Sequence, residues 1–232
     1  MRLLALDTSS LACSVALQFD EQLAVRHEEQ AREHTKLLVP MIRSVLDDVG
    51  TRLADLDAIV LGNGPGSFIG MRIAASVAQG LAFGAGLGIV PVSSMAAVAA
   101  EVLDRSEAGE VAVAQDAHMN EVYLGIYRRS EGGMPVNVID ERLQHQAAIL
   151  EFDAPGDGPR VAAGFGWRRY PELLALNEDR FDTVSEVLYP DARYLLPLGE
   201  QGLLSAGALA PEDVNPAYLR QKVAQKPPDG RP

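Results

Sequence analysis

The sequence predicts an α/β protein of two related lobes, each a mixed sheet flanked by helices, divided into 1–104 and 105–232. Three observations carry this. Short apolar runs alternate with helical periodicity in the order βββ-α-β-α-β-α through the first lobe, which places a mixed sheet between helices. A degraded version of the same order follows, as expected of a duplicated unit, although no repeat is visible letter by letter. The composition, 47% hydrophobic and 22% charged over 232 residues, is that of a globular chain with room for one large domain or two small lobes.

Leu3–Asp7, Cys13–Leu17 and Gln22–His27 read as three short strands joined by tight turns, the first ending at Thr8-Ser9-Ser10. From Arg32 the period changes. Leu38, Met41, Ile42, Val45, Leu46 and Val49 recur at three and four, predicting an amphipathic helix stopped by Gly50. Ala58–Leu61 is a buried strand running into a glycine-rich loop, and Gly70–Phe83 is a second helix. Ile89–Val92 is a strand, after which Ser93-Ser94 caps a helix over Met95–Leu103. In the second lobe Val111–Gln115, Val122–Tyr127, Val136–Ile139 and Val161–Ala163 read as strands. Ala147–Glu151 reads as a short helix, Leu195–Leu204 as a longer one, and Lys226–Gly230 as a frayed tail.

The charge excludes several functions. The formal net charge is −12 and the isoelectric point near 4.7, with the acidity spread over both lobes. A protein that grips nucleic acid unaided carries a basic face, because neutralising phosphates supplies most of its affinity. A solitary RNA or DNA binder and a basic membrane-surface protein are therefore both disfavoured. The one cysteine, Cys13, has no internal disulfide partner, which fits a reducing compartment. The first apolar run is cut at Asp7, short of a secretory core, and Gly80–Val92 is shorter than a membrane span. The expectation is a soluble cytoplasmic protein.

The segment Gly62–Ala82, GNGPGSFIGMRIAASVAQGLA, is the most informative. Four glycines after a strand and before a helix have the makings of an anion cradle, since glycine permits close backbone approach and a helix start presents free N–H groups. It is neither a Walker A loop, which needs Gly-Lys-Ser/Thr, nor the dinucleotide fingerprint, whose glycine spacing differs. The alternative is that the glycines only make the turn.

This segment also resembles the signature of the TsaB family, formerly YeaZ, through GPGSF-x-G-x-R and the following QGLA. LLALDTSSLACSVAL is similar to the family's first hairpin, REHTKLLVPMI to its first long helix, DAHMNEVYLGIY to the start of its second lobe, and PAYLR to its C-terminal signature. The resemblance implies an actin-like ATPase (ribonuclease H-like) fold and descent from a common ancestor with the catalytic subunit TsaD. It further implies a non-catalytic scaffold that works with TsaD and the ATPase TsaE. That machinery transfers threonylcarbamoyl from threonylcarbamoyl-AMP to the adenosine next to the anticodon of ANN-reading tRNAs. On this reading the chain meets tRNA only within the complex, homodimerises when alone, and touches neither membrane nor DNA. It carries no cofactor of its own, with nucleotide or magnesium confined to the complex interface.

The residues agree with an absence of chemistry. The histidines are His27, His34, His118 and His145, and none forms the H-x-x-x-H pair that would put two metal ligands on one helical face. No HExxH and no recognisable hydrolase triad occurs, so a peptidase is not expected. Asp7, Ser9, Gly64, Gly66, Ser67 and Arg72 are candidates for a vestigial phosphate or nucleotide loop. Asp7-Thr8-Ser9 sits where actin-like ATPases place a phosphate-and-metal turn, and the plainer reading is a hairpin turn whose side chains satisfy local N–H groups. Ile69, Ala74, His118 and Asn120 depart from the family's usual Thr, Gly, Arg and Gly, which weakens a retained ligand site. Gly164-Phe165-Gly166 is a faint echo of an adenosine-binding glycine pair. Arg168-Arg169 reads as a solvated pair rather than a tRNA contact. The rival to the scaffold is an autonomous small-molecule kinase or ATPase of the same fold.

Leu37, Leu38, Met41, Ile42 and Val45 form a broad apolar face, and Gly70, Ala74 and Ala78 a stripe of small residues one turn apart. Both are candidate partner surfaces, the family resemblance implying a helix bundle with TsaD. The alternative is that they cover their own sheet.

Overall fold

The computed structural model describes residues 1–30, 32–150 and 157–220. The first sheet is built from β1 (Arg2–Asp7), β2 (Cys13–Phe19), β3 (Gln22–Glu28), β4 (Ala58–Gly62) and β5 (Gly88–Val92) in the order β3-β2-β1-β4-β5. Its β1-β2-β3 half is antiparallel and its β1-β4-β5 half parallel. Helices α1 (His34–Val49), α2 (Phe68–Ala85) and α3 (Ser94–Arg105) fill the connections.

The second sheet contains β6 (Glu110–Asp116), β7 (Glu121–Arg129), β8 (Pro135–His145), β9 (Arg160–Ala163) and the two-residue β10 (Thr183–Val184). Its order, β10-β9-β6-β7-β8, repeats the first sheet when β6 stands for β1. The directions repeat as well, antiparallel through β6-β7-β8 and parallel through β6-β9-β10. The duplication expected from element order is therefore a duplication of topology. Helices α4 (Phe165–Arg169), α5 (Pro171–Ala175) and α6 (Ala192–Ala206) complete the chain.

Strand alternation sorts the core into layers. Leu4, Leu6, Ile59 and Leu61 face α1 and α2, while Leu3, Ala5, Ala58 and Val60 face α3 and α6. Val111, Val113 and Tyr127 face α3 from the other sheet, while Ala112 and Leu124 share a cluster with Trp167 of α4 and Leu173 of α5. Helix α3 thus lies between the two sheets, Met95, Val98 and Val102 meeting the second and Ala97 and Ala100 the first. That is why it is apolar on most sides.

Local chemistry sets the helix ends. Gly50 takes the left-handed conformation after α1, its N–H bonded to Leu46 and Asp47 carbonyls. The Ser93 hydroxyl accepts the N–H groups of Met95 and Ala96 at the start of α3. Several sequence expectations are corrected. Residues 147–150 are turn and irregular structure rather than helix, and Glu151 lies outside the described residues, as does the tail at Lys226–Gly230. Strand β8 extends well beyond Val136–Ile139, its edge position tolerating polar residues that hide it from an apolar-run search. A linear division at residue 104 also misplaces α6, which packs on the first sheet through Ala192, Leu195 and Leu196. The segment after it stays there, Leu209 bridging to Ile89.

Candidate functional site

The glycine-rich loop and the turn after β1 meet at the end of the first sheet. Asp7, 1% exposed, is held on both oxygens. Its Oδ1 accepts the backbone N–H of Ser9 at 2.7 Å and the Ser9 hydroxyl at 2.8 Å. Its Oδ2 accepts the hydroxyl of Ser94, which in turn accepts the Gly64 N–H at 3.0 Å. Burial raises the Asp7 carboxyl above its ordinary value, against the lowering effect of these hydrogen bonds and of nearby His34.

The glycines are spaced for this turn. A Cβ on Gly62 would lie 2.0 Å from Asp7 Oδ2, one on Gly66 2.1 Å from the Ser9 carbonyl oxygen, and one on Gly70 1.9 Å from that of Thr8. The Ser67 N–H bonds the Ser9 carbonyl at 2.6 Å, and the Thr8 hydroxyl bonds the Gly70 carbonyl at 2.7 Å. The concavity these glycines make is occupied by the chain's own Asp7–Ser9 turn. Close approach, the property that suggested an anion cradle, is used for packing. Ser67 caps α2 by accepting the Gly70 N–H. Arg72 turns away from the loop, its guanidinium 3.9 Å from the Phe68 ring centroid and its Nε donating to the Tyr218 hydroxyl at 2.9 Å. Asp7, Ser9, Gly64, Gly66 and Ser67 are thus brought together, and Arg72 is not with them.

Beyond the turn lies a cleft of about 700 Å³ between the lobes. Ser10, His34 and Ile69 line it from the first lobe, and Asp116, His118 and Phe165 from the second. The His34 Nε2 bonds the Ser10 carbonyl at 3.0 Å. Asp116 accepts the His118 N–H at 2.8 Å and the Tyr170 hydroxyl at 2.9 Å. Ile69 presents an apolar side chain to the cleft at the position where the family resemblance implies a threonine hydroxyl. His118, Met119 and Asn120 all have left-handed backbones, with φ of 59°, 53° and 62°. For non-glycine residues each costs about 1 kcal/mol or more, so the surroundings must impose the turn. Arg220 does this in part, its Nη2 donating to the Ala117 carbonyl at 2.9 Å and pairing with Glu121 at 2.6 Å. Gly164 and Gly166 pack against the backbone of Ala114, which accounts for that glycine pair without a ligand. Arg168 and Arg169 are exposed.

The proposed partner surface is corrected. Leu38, Met41, Ile42, Val45, Ala74 and Ala78 are buried in the core of the first lobe, Gly70 abuts Thr8, and Leu37 is half-buried against the same core. The face of α1 is broad because it covers the sheet. What α2 leaves uncovered is its other side: Ile69 at 71% exposure and Phe83 at 81%, with Ser76, Gly80 and Gly84 between or beside them. Sequence reasoning missed Phe83, although the high apolar content of α2, interrupted only by Arg72, Ser76 and Gln79, was the available signal. Among the described residues α2 is also the one helix long and apolar enough to cross a membrane, with a third of it buried against the sheet. No group of three potential metal ligands occurs among the described residues.

Known proteins share this fold and much of this sequence. Residues 21–170 match the family model of TsaD, tRNA N6-adenosine threonylcarbamoyltransferase. The chain is 37% identical to the tRNA threonylcarbamoyladenosine biosynthesis protein TsaB of Escherichia coli, over the whole of both chains. It is 37% identical to TsaB of Haemophilus influenzae, covering all of this chain and 98% of the relative. The solved structure of YeaZ from Pseudomonas aeruginosa superposes with a TM-score of 0.85 at 34% identity, covering 94% of this chain and 99% of the other.

Proposed function

This chain belongs to the TsaB (YeaZ) family of tRNA threonylcarbamoyladenosine biosynthesis, and from that premise we propose that it is a non-catalytic scaffold that docks a TsaD-type catalytic subunit through the outward face of α2. The observation that carries the reading is that face: Ile69 and Phe83 stand exposed on a helix whose opposite side is fully used by the first sheet. Large apolar side chains left exposed on one helix face mark a surface that a partner covers. Small residues at Ser76, Gly80 and Gly84 allow a second helix to approach closely. In the absence of the catalytic subunit a second copy of the chain covers the same face.

The lack of chemistry on this subunit is supported by the self-satisfied Asp7 turn and by the lack of a histidine pair on α3. The transferase site then belongs to the TsaD-type subunit, with a TsaE-type ATPase joining the pair and tRNA meeting the assembled complex. Size-exclusion chromatography with the cognate catalytic subunit tests this. One co-eluting peak is expected, lost in Phe83→Asp. Two separate peaks at micromolar concentration, with and without ATP, would overturn it.

A further inference from the structure

We propose that residues 215–220 form a clasp that fixes the angle between the two lobes. Helix α3 already joins the lobes along one layer, but at the cleft they face each other across open space lined by side chains from both. The segment after α6 crosses between the lobes beside that space, at a smaller hollow lined by Phe68, Ala117, Tyr218 and Arg220. It first follows the first lobe, with the Gln79 side chain donating to the Pro211 and Val214 carbonyls at 2.9 Å and 3.1 Å. The Asn63 side chain then donates to the Asn215 carbonyl at 3.0 Å, and the Ala217 N–H reaches back to the Asn63 carbonyl at 3.3 Å.

The two anchors follow at once. Tyr218 lies on α2, its ring centroid 5.1 Å from that of Phe68 and its hydroxyl on Arg72. Two residues on, Arg220 is held by the second lobe, its Nη2 on the Ala117 and His118 carbonyls at 2.9 Å and 3.4 Å and on the Glu121 carboxylate at 2.6 Å. That guanidinium is largely shielded from solvent, with 16% of its side chain exposed. A two-residue step spans at most about 7 Å when fully extended. The lobes therefore cannot part at the cleft without releasing one anchor, and the left-handed turn at His118–Asn120 is kept in place by the same guanidinium. Arg72 also neighbours exposed Ile69, so the first anchor borders the docking face of α2, although the clasp needs no partner to act.

The test places spin labels on either side of the cleft, at Lys36→Cys on α1 and Arg168→Cys on α4, in a Cys13→Ala background, and measures their separation by pulsed electron resonance in the isolated chain. Arg220→Ala and Tyr218→Ala are each expected to give a longer and broader distance distribution. They should also speed amide exchange at 117–121 by roughly tenfold. Tyr218→Phe, which keeps the ring contact with Phe68, should lie between wild type and Tyr218→Ala. If Arg220→Ala does not fold, the two Tyr218 variants decide. Distributions and exchange unchanged from wild type in the variants that fold would overturn the clasp. The catalytic subunit does not enter this measurement, and diluting the labelled chain with excess unlabelled chain removes distances between copies, so its failure leaves the docking reading standing, and the reverse holds too.

Discussion

The hydroxyl of Ser94 donates to the carboxylate of Asp7 across 87 positions of sequence, joining the end of β1 to the start of α3. With Ser9 on the other oxygen, both oxygens of this buried acid are engaged by the chain's own donors. Asp7→Ala leaves the Ser9 N–H and two hydroxyls without their acceptor in a buried place. It should cost about 2–4 kcal/mol in urea unfolding at neutral pH. Asp7→Asn keeps the shape and one acceptor and should cost about 1 kcal/mol or less. Because burial raises the folded carboxyl above its ordinary 3.8, the Asp7 contribution is fully present below that value and is lost as pH rises through the raised one. Asp7→Asn should therefore compare worst with wild type in acid and best at neutral pH. Steady-state ATP hydrolysis by the isolated chain that vanishes in Asp7→Ala would restore the ATPase reading.

Glu101 offers a separate pH test. It lies on α3, 6% exposed, and burial pushes its carboxyl up to about 7 against the pull of Arg105, which it meets at 2.7 Å. The ordinary value is 4.5, so protonated Glu101 stabilises the fold fully below that pH, and the contribution is lost as pH rises through about 7. Glu101→Gln fixes the neutral form. It should be more stable than wild type by about 1–3 kcal/mol at pH 8 and no more stable at pH 4. Chemical unfolding at the two pH values reads the difference, and an equal gap at both would show that Arg105 compensates the charge fully.

The glycines of α2 should separate packing from docking. Gly70→Ala sets a Cβ against the Thr8 backbone, which has no room to yield, and should cost about 3 kcal/mol or more. Gly80 has nothing within 4 Å of the corresponding position. Gly80→Leu should raise the melting temperature of the isolated chain, because leucine favours an exposed helix interior by roughly 0.5–1 kcal/mol over glycine. The same bulk on the outward face should weaken association with the catalytic subunit at least tenfold, about 1.4 kcal/mol. Association unchanged in Gly80→Leu would move the interface elsewhere.

How much of this was readable beforehand depends on the range of each interaction. The local signals were reliable: Gly50 ending α1, Ser93 capping α3, and short runs such as Ala58–Leu61 forming strands. The glycine loop was visible too, but not its occupant, since the Ser9 and Thr8 carbonyls that meet Gly66 and Gly70 arrive from far along the chain. The broad apolar face of α1 suggests a partner surface by pattern alone, yet Leu38, Met41 and Val45 all reach the core, since periodicity does not say what covers a face. Helix α6 could not be placed, since its periodicity does not say which sheet its apolar side covers. Pro40 and Pro197 sit inside α1 and α6, where local rules disfavour proline and tertiary packing overrides them. The PAYLR segment is visible as a signature, but its role needs both lobes in place, since Tyr218 and Arg220 hold different ones.

The charge leads to the last prediction. A net charge of −12 opposes the approach of an RNA backbone, and the exposed arginines Arg168 and Arg169 are too few to reverse it. Binding of tRNA by phosphate neutralisation falls steeply with salt, in proportion to the number of cations engaged. The isolated chain should therefore show no saturable tRNA binding by filter retention at physiological salt. The complex with the catalytic subunit should bind, with a salt slope that Arg168→Ala and Arg169→Ala leave unchanged. A slope reduced by about one for each arginine removed would place this pair on the RNA. Tight, salt-sensitive binding by the isolated chain would show instead that its field is locally positive despite its net charge, and would shift part of the RNA recognition from the catalytic subunit to this one.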